Sequence, residues 1–304
     1  MSNIIAIVWD FDKTLINGYM ENPLLEDYNL DPAEFWAEVE ELPKKYLSEQ
    51  GVKVNPDTIY LNQFIKFAKS GKLAGLNNAK LREYGSRLNF YPGVPEIFET
   101  TRKVITDDPT YQKHGIKLEH YIISAGLKEI IRGSAVAKFV EDIWACEFIE
   151  VDDGNGGKIL GETAYTIDNT TKTRALFEIN KGVGKNENVF VNTFLPEEHR
   201  RVHFKNMIYV ADGPSDVPAF SVVNKNGGVT FAVYPAGNVK ALKQVEQLRQ
   251  ENRINYFAEA DYSDGKTASM WLCLKLVEIA DRICADEKQA LSKYTDRKPP
   301  QHLN

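Results

Sequence analysis

Cysteine is scarce in this chain: Cys146, Cys273 and Cys284 are the only three in 304 residues. Odd in number and widely spaced, they exclude a disulfide framework and a Cys/His metal site, and predict reduced thiols in a cytoplasmic protein. Long apolar runs are also missing, none approaching the roughly 18 residues that cross a bilayer. Met1-Ser2-Asn3 offers no basic leader, so no secretory signal is expected. Positive charge is in deficit, with a net charge of -6, whereas a nucleic-acid-binding face would be basic. The same deficit disfavours anionic membrane surfaces. No internal repeat or low-complexity tract interrupts the chain. What remains is ordinary for a globular protein, 43% hydrophobic and 26% charged, with enough length for one large domain and a smaller one.

The most informative segment is Trp9-Asp10-Phe11-Asp12-Lys13-Thr14-Leu15. It closes the apolar run Ile4–Trp9, whose β-branched residues suit a strand buried on both faces. Strand alternation points Asp10 and Asp12 to one side and Phe11 to the other. Two anions so close repel unless a cation lies between them or one holds a proton. The pair therefore suits a divalent metal and a carboxylate nucleophile, against the plain alternative of a turn with solvated acids.

From about residue 22 to 90 the pattern turns helical. Asp31-Pro32-Ala33-Glu34 predicts a capped helix start with Phe35, Trp36 and Val39 behind it. A second helix is expected from Asn55-Pro56 to Gly71, and a third from Asn77 to Leu88. The turn Tyr91-Pro92-Gly93-Val94-Pro95 opens another helix. Strands then alternate with helices: Tyr121–Ile123, Met207–Val210 and Val229–Val233 are strand candidates, and a last helix is expected over Thr267–Ala285 before a loose tail from Asp296 to Asn304. This rhythm predicts an α/β fold with a doubly wound parallel sheet. Residues 1–15 and 91–304 form its core, and residues 16–90 are a helical cap inserted after the first strand.

Three further pieces bear on chemistry. Ser124-Ala125-Gly126 follows a strand, where a hydroxyl and free N–H groups at the next helix could hold a phosphate oxygen; a helix cap is the plainer reading. Lys172 falls in the first turn of a helix capped by Thr170 or Thr171 and ending near Gly182. A cation there opposes the helix dipole by ~0.3–1 kcal/mol unless an anion sits in front of it. A solvated lysine is the alternative, and Lys181 and Lys185 compete for the role. Asp212-Gly213-Pro214-Ser215-Asp216 ends a second apolar strand in carboxylates, the oxygen ligands that Mg²⁺ takes.

Taken together and in this order, the motifs Asp10-Phe11-Asp12-Lys13-Thr14, Ser124, Lys172 and Asp212-Gly213-Pro214-Ser215-Asp216 resemble those of the haloacid dehalogenase superfamily, over most of the chain. Residues 16–90 look like its C1-type cap, and Tyr91-Pro92-Gly93-Val94 and the hairpin-like stretch Ala145–Gly161 resemble the phosphoserine-phosphatase-like branch. The resemblance implies a Mg²⁺-dependent phosphatase acting on a small phosphate monoester. Asp10 would be the nucleophile, and Asp12 the general acid and base. Ser124, Ala125, Gly126 and Lys172 would bind the phosphoryl oxygens. Asp10, the Asp12 backbone carbonyl, Asp212 and Asp216 would serve the metal. Glu21 lies near where phosphoserine phosphatases keep a substrate-binding glutamate.

Other motifs are set aside. Asp152–Gly157 lacks the glycine and glutamate register of an EF-hand. His199 and His203 have zinc-helix spacing without the accompanying glutamate, and Gly182–Lys185 lacks the spacing of a nucleotide-phosphate loop. A phosphomutase or a catalytically silent binding protein on the same scaffold are the rivals; a dehalogenase would leave Asp12 no leaving alcohol to protonate. Oligomeric state and substrate identity are not encoded in any pattern found.

Overall fold

The structure is a computed structural model that describes residues 2–295. Its seven strands form one sheet in the order β4-β3-β2-β1-β5-β6-β7. Strand β1 (Ile4–Trp9) lies at the centre, parallel to β2 (Lys117–Leu127) and β5 (Met207–Ala211). Its residues Ile5 to Trp9 are fully buried, as a strand covered on both faces must be. Strand β3 (Asp142–Asp152) continues the parallel pairing on one side, and β6 (Val229–Tyr234) and β7 (Tyr256–Glu259) on the other.

The one departure from the parallel sheet is β4 (Lys158–Tyr165), which runs antiparallel to β3. A tight turn joins them, too short for the crossover that a parallel pair requires. The Asp153 carboxylate closes that turn by accepting the N–H groups of Asn155 and Gly157 at 2.8 and 2.9 Å. These acids are therefore hairpin chemistry, as the sequence suggested. Strand β7 escapes sequence reading because four residues are too few to display a period.

Between β1 and β2 run six helices: α1 (Asn22–Asp27), α2 (Pro32–Gln50), α3 (Ile59–Ser70), α4 (Asn78–Tyr84), α5 (Glu96–Thr106) and α6 (Pro109–Lys113). Then come α7 (Lys128–Arg132) after β2, α8 (Lys172–Lys181) after β4 and α9 (Val217–Lys225) after β5. Helix α10 (Val239–Gln250) follows β6, and α11 (Thr267–Thr295) follows β7. Helices α5 and α11 pack together on one sheet face and α8 with α9 on the other. Trp9 accordingly packs at a tilt against Phe98 of α5, while Tyr209, one pleat position away, meets Phe220 of α9.

Several boundaries differ from expectation. Helix α2 starts where predicted, with the Asp31 carboxylate accepting the Glu34 N–H at 3.0 Å. Helix α3 begins at Ile59, because Asn55 instead accepts the Asp57 N–H in a separate turn. Helix α11 runs ten residues beyond Ala285; the expected tail, Asp296–Asn304, lies outside the described residues.

Helices α1 to α4 lean over the carboxyl ends of β2 and β3. Leu76 O accepts the Leu160 N–H at 3.0 Å, and Tyr60 of α3 donates its hydroxyl to Ala125 O at 2.7 Å. Gly133 lets α4 approach α7, since a Cβ there would lie 1.7 Å from Arg82 O.

Candidate active site

Asp10 extends β1 by one step, donating its N–H to Val210 O at 2.8 Å. Beyond it Lys13 takes a left-handed φ of 56°, and the N–H groups of Thr14, Leu15 and Ile16 converge on Phe11 O. This tight turn brings Thr14 Oγ1 to Asp10 Oδ2 at 2.9 Å. Asp12 faces the same cavity as Asp10 but is held differently, its Oδ1 accepting the Met20 N–H at 2.9 Å.

Lys172 is 2% exposed, so the solvated-lysine alternative does not hold. Its Nζ lies 2.8 Å from Asp10 Oδ1 and 2.7 Å from Asp216 Oδ1. Thr171 stands at the N-cap of helix α8, as one of the two expected threonines, but makes no side-chain cap bond. Asp168 Oδ1 just before it accepts the N–H groups of Thr170 and Thr171. The competing lysines are elsewhere: Lys181 donates to Val191 O and Thr193 O, and Lys185 pairs with Glu141.

Asp216 is fully buried and saturated. Besides Lys172 it accepts the Tyr209 hydroxyl at 2.6 Å and the Ser215 hydroxyl at 2.8 Å. Tyr209 was invisible as a site residue in the sequence, although a tyrosine inside a buried strand demands a partner for its hydroxyl. Oxygens of Asp10, Asp212 and Asp216 lie within 4.8 Å of one another. Among these acids Asp10 and half-buried Asp212 face the cavity. The Asp12 carboxylate stands outside the cluster, so any metal role for Asp12 falls to its backbone.

Ser124 does not open a helix, contrary to the sequence reading. The β2–β3 ladder breaks at Ile123 and resumes at Leu127, leaving Ser124-Ala125-Gly126 as a bulge, and α7 begins only at Lys128. The Ser124 hydroxyl accepts the Gly126 N–H at 3.0 Å. Gly126 allows a close approach, since a Cβ would lie 2.2 Å from Met20 Cε and 3.1 Å from Asp12 Oδ2.

The site carries more negative charge than Lys172 can balance. Burial, and then Asp216, raise the Asp10 carboxyl to about 6 against the opposing pull of Lys172. Burial, with Asp10 and Asp216 adding repulsion, raises Asp212 to about 7. Asp12 is pushed well above the usual range by burial, Glu21 and Asp10. Burial opposes the charge on Lys172, but Asp10 and Asp216 outweigh it and keep it protonated. An all-oxygen donor set with excess negative charge fits a hard divalent cation. The cavity above, about 280 Å³, is lined by Asp10, Asp12, Ser124, Ala125, Gly126, Lys172 and Asp212 and by Glu21, all singled out from the sequence, but not by Asp216. It is lined also by Lys13, Tyr19, Trp36, Asp57, Tyr60, Asn169 and Ser215, most of them brought in by the helical segment.

No family model matches the chain. An uncharacterized protein of Borreliella burgdorferi is 35% identical over 287 residues, covering 90% of this chain and 97% of its own. Among solved structures, a HAD family hydrolase from Salmonella enterica serovar Typhi aligns with a TM-score of 0.52 at 14% identity, over 84% of this chain and 67% of that one. A probable phosphoserine phosphatase from Vibrio cholerae aligns with a TM-score of 0.50 at 11% identity, over 92% of this chain and 66% of that one. This chain thus belongs to one family with the Borreliella burgdorferi protein, and its fold is that of the haloacid dehalogenase hydrolases.

Proposed function

We propose that the protein is a Mg²⁺-dependent phosphatase that hydrolyses a small phosphate monoester through an aspartyl-phosphate. The observation that carries this reading is the setting of Asp10. A nucleophilic carboxylate is buried at a strand end, oriented by Lys172 and Thr14, and opens onto a small cavity that holds a second acid, Asp12. Asp10 attacks phosphorus and the ester P–O bond breaks, while Asp12 gives its proton to the leaving alkoxide. Its raised pKa suits that task, because a general acid must hold a proton near neutral pH. Asp12 then takes a proton from the water that attacks the aspartyl-phosphate, releasing inorganic phosphate and free Asp10.

Ser124, Ala125 and Gly126 on the bulge, with Lys172 opposite, bind the phosphoryl oxygens. Ala125 can contribute only its N–H, since phosphoryl oxygens need donors; its carbonyl instead accepts the Tyr60 hydroxyl. Asp10, the Asp12 carbonyl and Asp212 would hold Mg²⁺, with Asp216 supporting them through Lys172. When bound, the ion would neutralise charge on the phosphoryl group and orient it. On this reading residues 16–90 are the cap and residues 1–15 with 91–304 the core. The test is phosphate release from a panel of phosphate monoesters with and without Mg²⁺, with Asp10→Asn as control; release that survives the substitution removes Asp10 from its role.

A further inference from the structure

Tyr262, in the loop between β7 and α11, lies 248 positions from Thr14 along the chain and donates its hydroxyl to the Thr14 carbonyl at 2.7 Å. It is 2% exposed, and its ring stands edge-on to that of Trp9, the residue before Asp10, with centroids 5.7 Å apart. The Tyr262 N–H goes to Pro92 O at 2.7 Å, and a Cβ on Gly93 would lie 2.1 Å from the Tyr262 carbonyl carbon. Two backbones therefore touch at this point. The Asp261 carboxylate closes the loop by accepting the Ser263 N–H at 3.0 Å.

These contacts grip the base of a two-stranded neck. Residues 15–17 leave the sheet for the helical segment and residues 89–91 return from it. The Asn17 N–H meets Asn89 O and the Tyr91 N–H meets Leu15 O, each at 2.9 Å. Tyr262 holds Thr14 on the outgoing side and Pro92 on the returning side. In the turn below the neck, the N–H groups of Thr14, Leu15 and Ile16 share one acceptor, Phe11 O. Among the described residues no backbone N–H reaches Thr14 O, so the Tyr262 hydroxyl is the anchor of that oxygen. The side chain of the same threonine holds Asp10 Oδ2. A buried tyrosine needs a partner for its hydroxyl, and any free carbonyl would serve. The carbonyl it takes belongs to the residue that orients the candidate nucleophile, although Tyr262 itself does not line the cavity.

We infer that Tyr262 is a positioning residue for the proposed phosphoryl chemistry: by pinning the Thr14 carbonyl it keeps the Thr14 hydroxyl on Asp10, and so keeps that carboxylate aimed. The role rests on the phosphatase reading; the contact does not. Its effect belongs on kcat rather than KM, since a misaimed reacting atom slows the chemical step and leaves ground-state binding alone.

Tyr262→Phe keeps the ring against Trp9 and removes only the hydroxyl. It should lower kcat about tenfold and leave KM within about twofold. Thr14→Val, of nearly the same shape, removes the hydroxyl on Asp10 and should lower kcat at least as much. In the Thr14→Val background, Tyr262→Phe should change kcat by less than about twofold, because the link it acts through is already cut. Losses that multiply, or a Tyr262→Phe enzyme with parental kcat, overturn the inference and leave the phosphatase reading intact. So does a Tyr262→Phe chain that no longer folds, since the hydroxyl would then serve the core alone. A readout without turnover separates the two readings. In NMR, the resonance of the Asp10 side-chain carboxyl carbon should move in Tyr262→Phe in the direction it moves in Thr14→Val. If no phosphate ester is hydrolysed while that shift is seen, the phosphatase reading falls and the positioning of Asp10 by Tyr262 stands. An Asp10 resonance unmoved by Tyr262→Phe overturns the positioning role.

Discussion

Lys172 Nζ sits 2.7 Å from Asp216 Oδ1, in a region where both side chains are almost wholly shielded from water. The same ammonium reaches Asp10 Oδ1, so a single charge holds a candidate nucleophile and a structural acid together. Removing it strands two buried carboxylates beside each other.

Lys172→Ala is therefore expected to cost stability as well as activity. Breaking a buried ion pair from one side typically costs about 3–5 kcal/mol, and losing one preorganised electrostatic contact lowers kcat roughly 10²–10³-fold. Urea denaturation and phosphate release on the same preparation check both. An alanine variant as stable and active as the parent would show that the bridge contributes neither.

Asp12→Asn should lower turnover by roughly 10²–10⁴-fold, the usual contribution of a positioned acid and base. The loss is expected to be smaller in the first step for p-nitrophenyl phosphate, whose leaving group needs little protonation. Pre-steady-state release of p-nitrophenol would separate the steps. Equal losses with good and poor leaving groups would contradict the assignment of Asp12 as the acid.

Mg²⁺ should stabilise the protein, and more so at higher pH. Asp10 near 6 and Asp212 near 7 bind protons in competition with the ion, so its affinity rises as pH climbs through that range. At a concentration 100 times its dissociation constant the ion adds about 2.7 kcal/mol. Thermal melts with Mg²⁺ or with a chelator at pH 5 and pH 8 test this; a gain that is flat with pH would mean that these two carboxyls are not ligands.

His120 gives a pH dependence of the fold itself. It is fully buried and neutral, accepting the Trp9 indole N–H at Nδ1 (3.1 Å), with Nε2 3.3 Å from the Thr101 hydroxyl. Burial, helped by Arg102, lowers it to about 3, while the unfolded chain keeps the ordinary value near 6.5. Between those values the unfolded state binds the extra proton, so stability contributed by this site is lost as pH falls from 6.5 towards 3, at up to about 1.36 kcal/mol per pH unit. The stability gap between the parent and His120→Gln should narrow over that window. A gap independent of pH would refute the assignment.

Gly133→Ala tests the seat of the helical segment. The added Cβ would lie 1.7 Å from the backbone oxygen of Arg82, so α4 must move away from α7. Overpacking of this kind typically costs about 1–3 kcal/mol. Chemical denaturation would register it, and an unchanged midpoint would mean that α4 can shift freely.

The chemistry-bearing strand ends were legible in the sequence because β-branched runs that stop at Asp-x-Asp or Asp-Gly-Pro-Ser-Asp leave acids where side chains emerge from a sheet. Asp10, Asp12, Asp212 and the α2 cap Asp31 could be placed from local pattern alone. Lys172 was weighed against Lys181 and Lys185 because pattern puts each of them on or beside the same helix. The bulge at Ser124–Gly126 left no local signature, and β7 was too short to show a period. The aromatic lining of the cavity read as plain packing, since Trp36 and Tyr60 have the same helical spacing whether they face a core or a cavity.

The sequence by itself determined the alternation of strands and helices, the first strand buried on both faces and the acids at its end, since these follow from local periodicity and turn chemistry. Only the tertiary structure decided which lysine pairs with Asp10 and that Tyr209 secures Asp216. It alone turned Glu21 and three aromatic rings toward one cavity. Contacts of that kind join residues far apart along the chain, and their energies depend on burial that exists only once the sheet and the helices above it have packed.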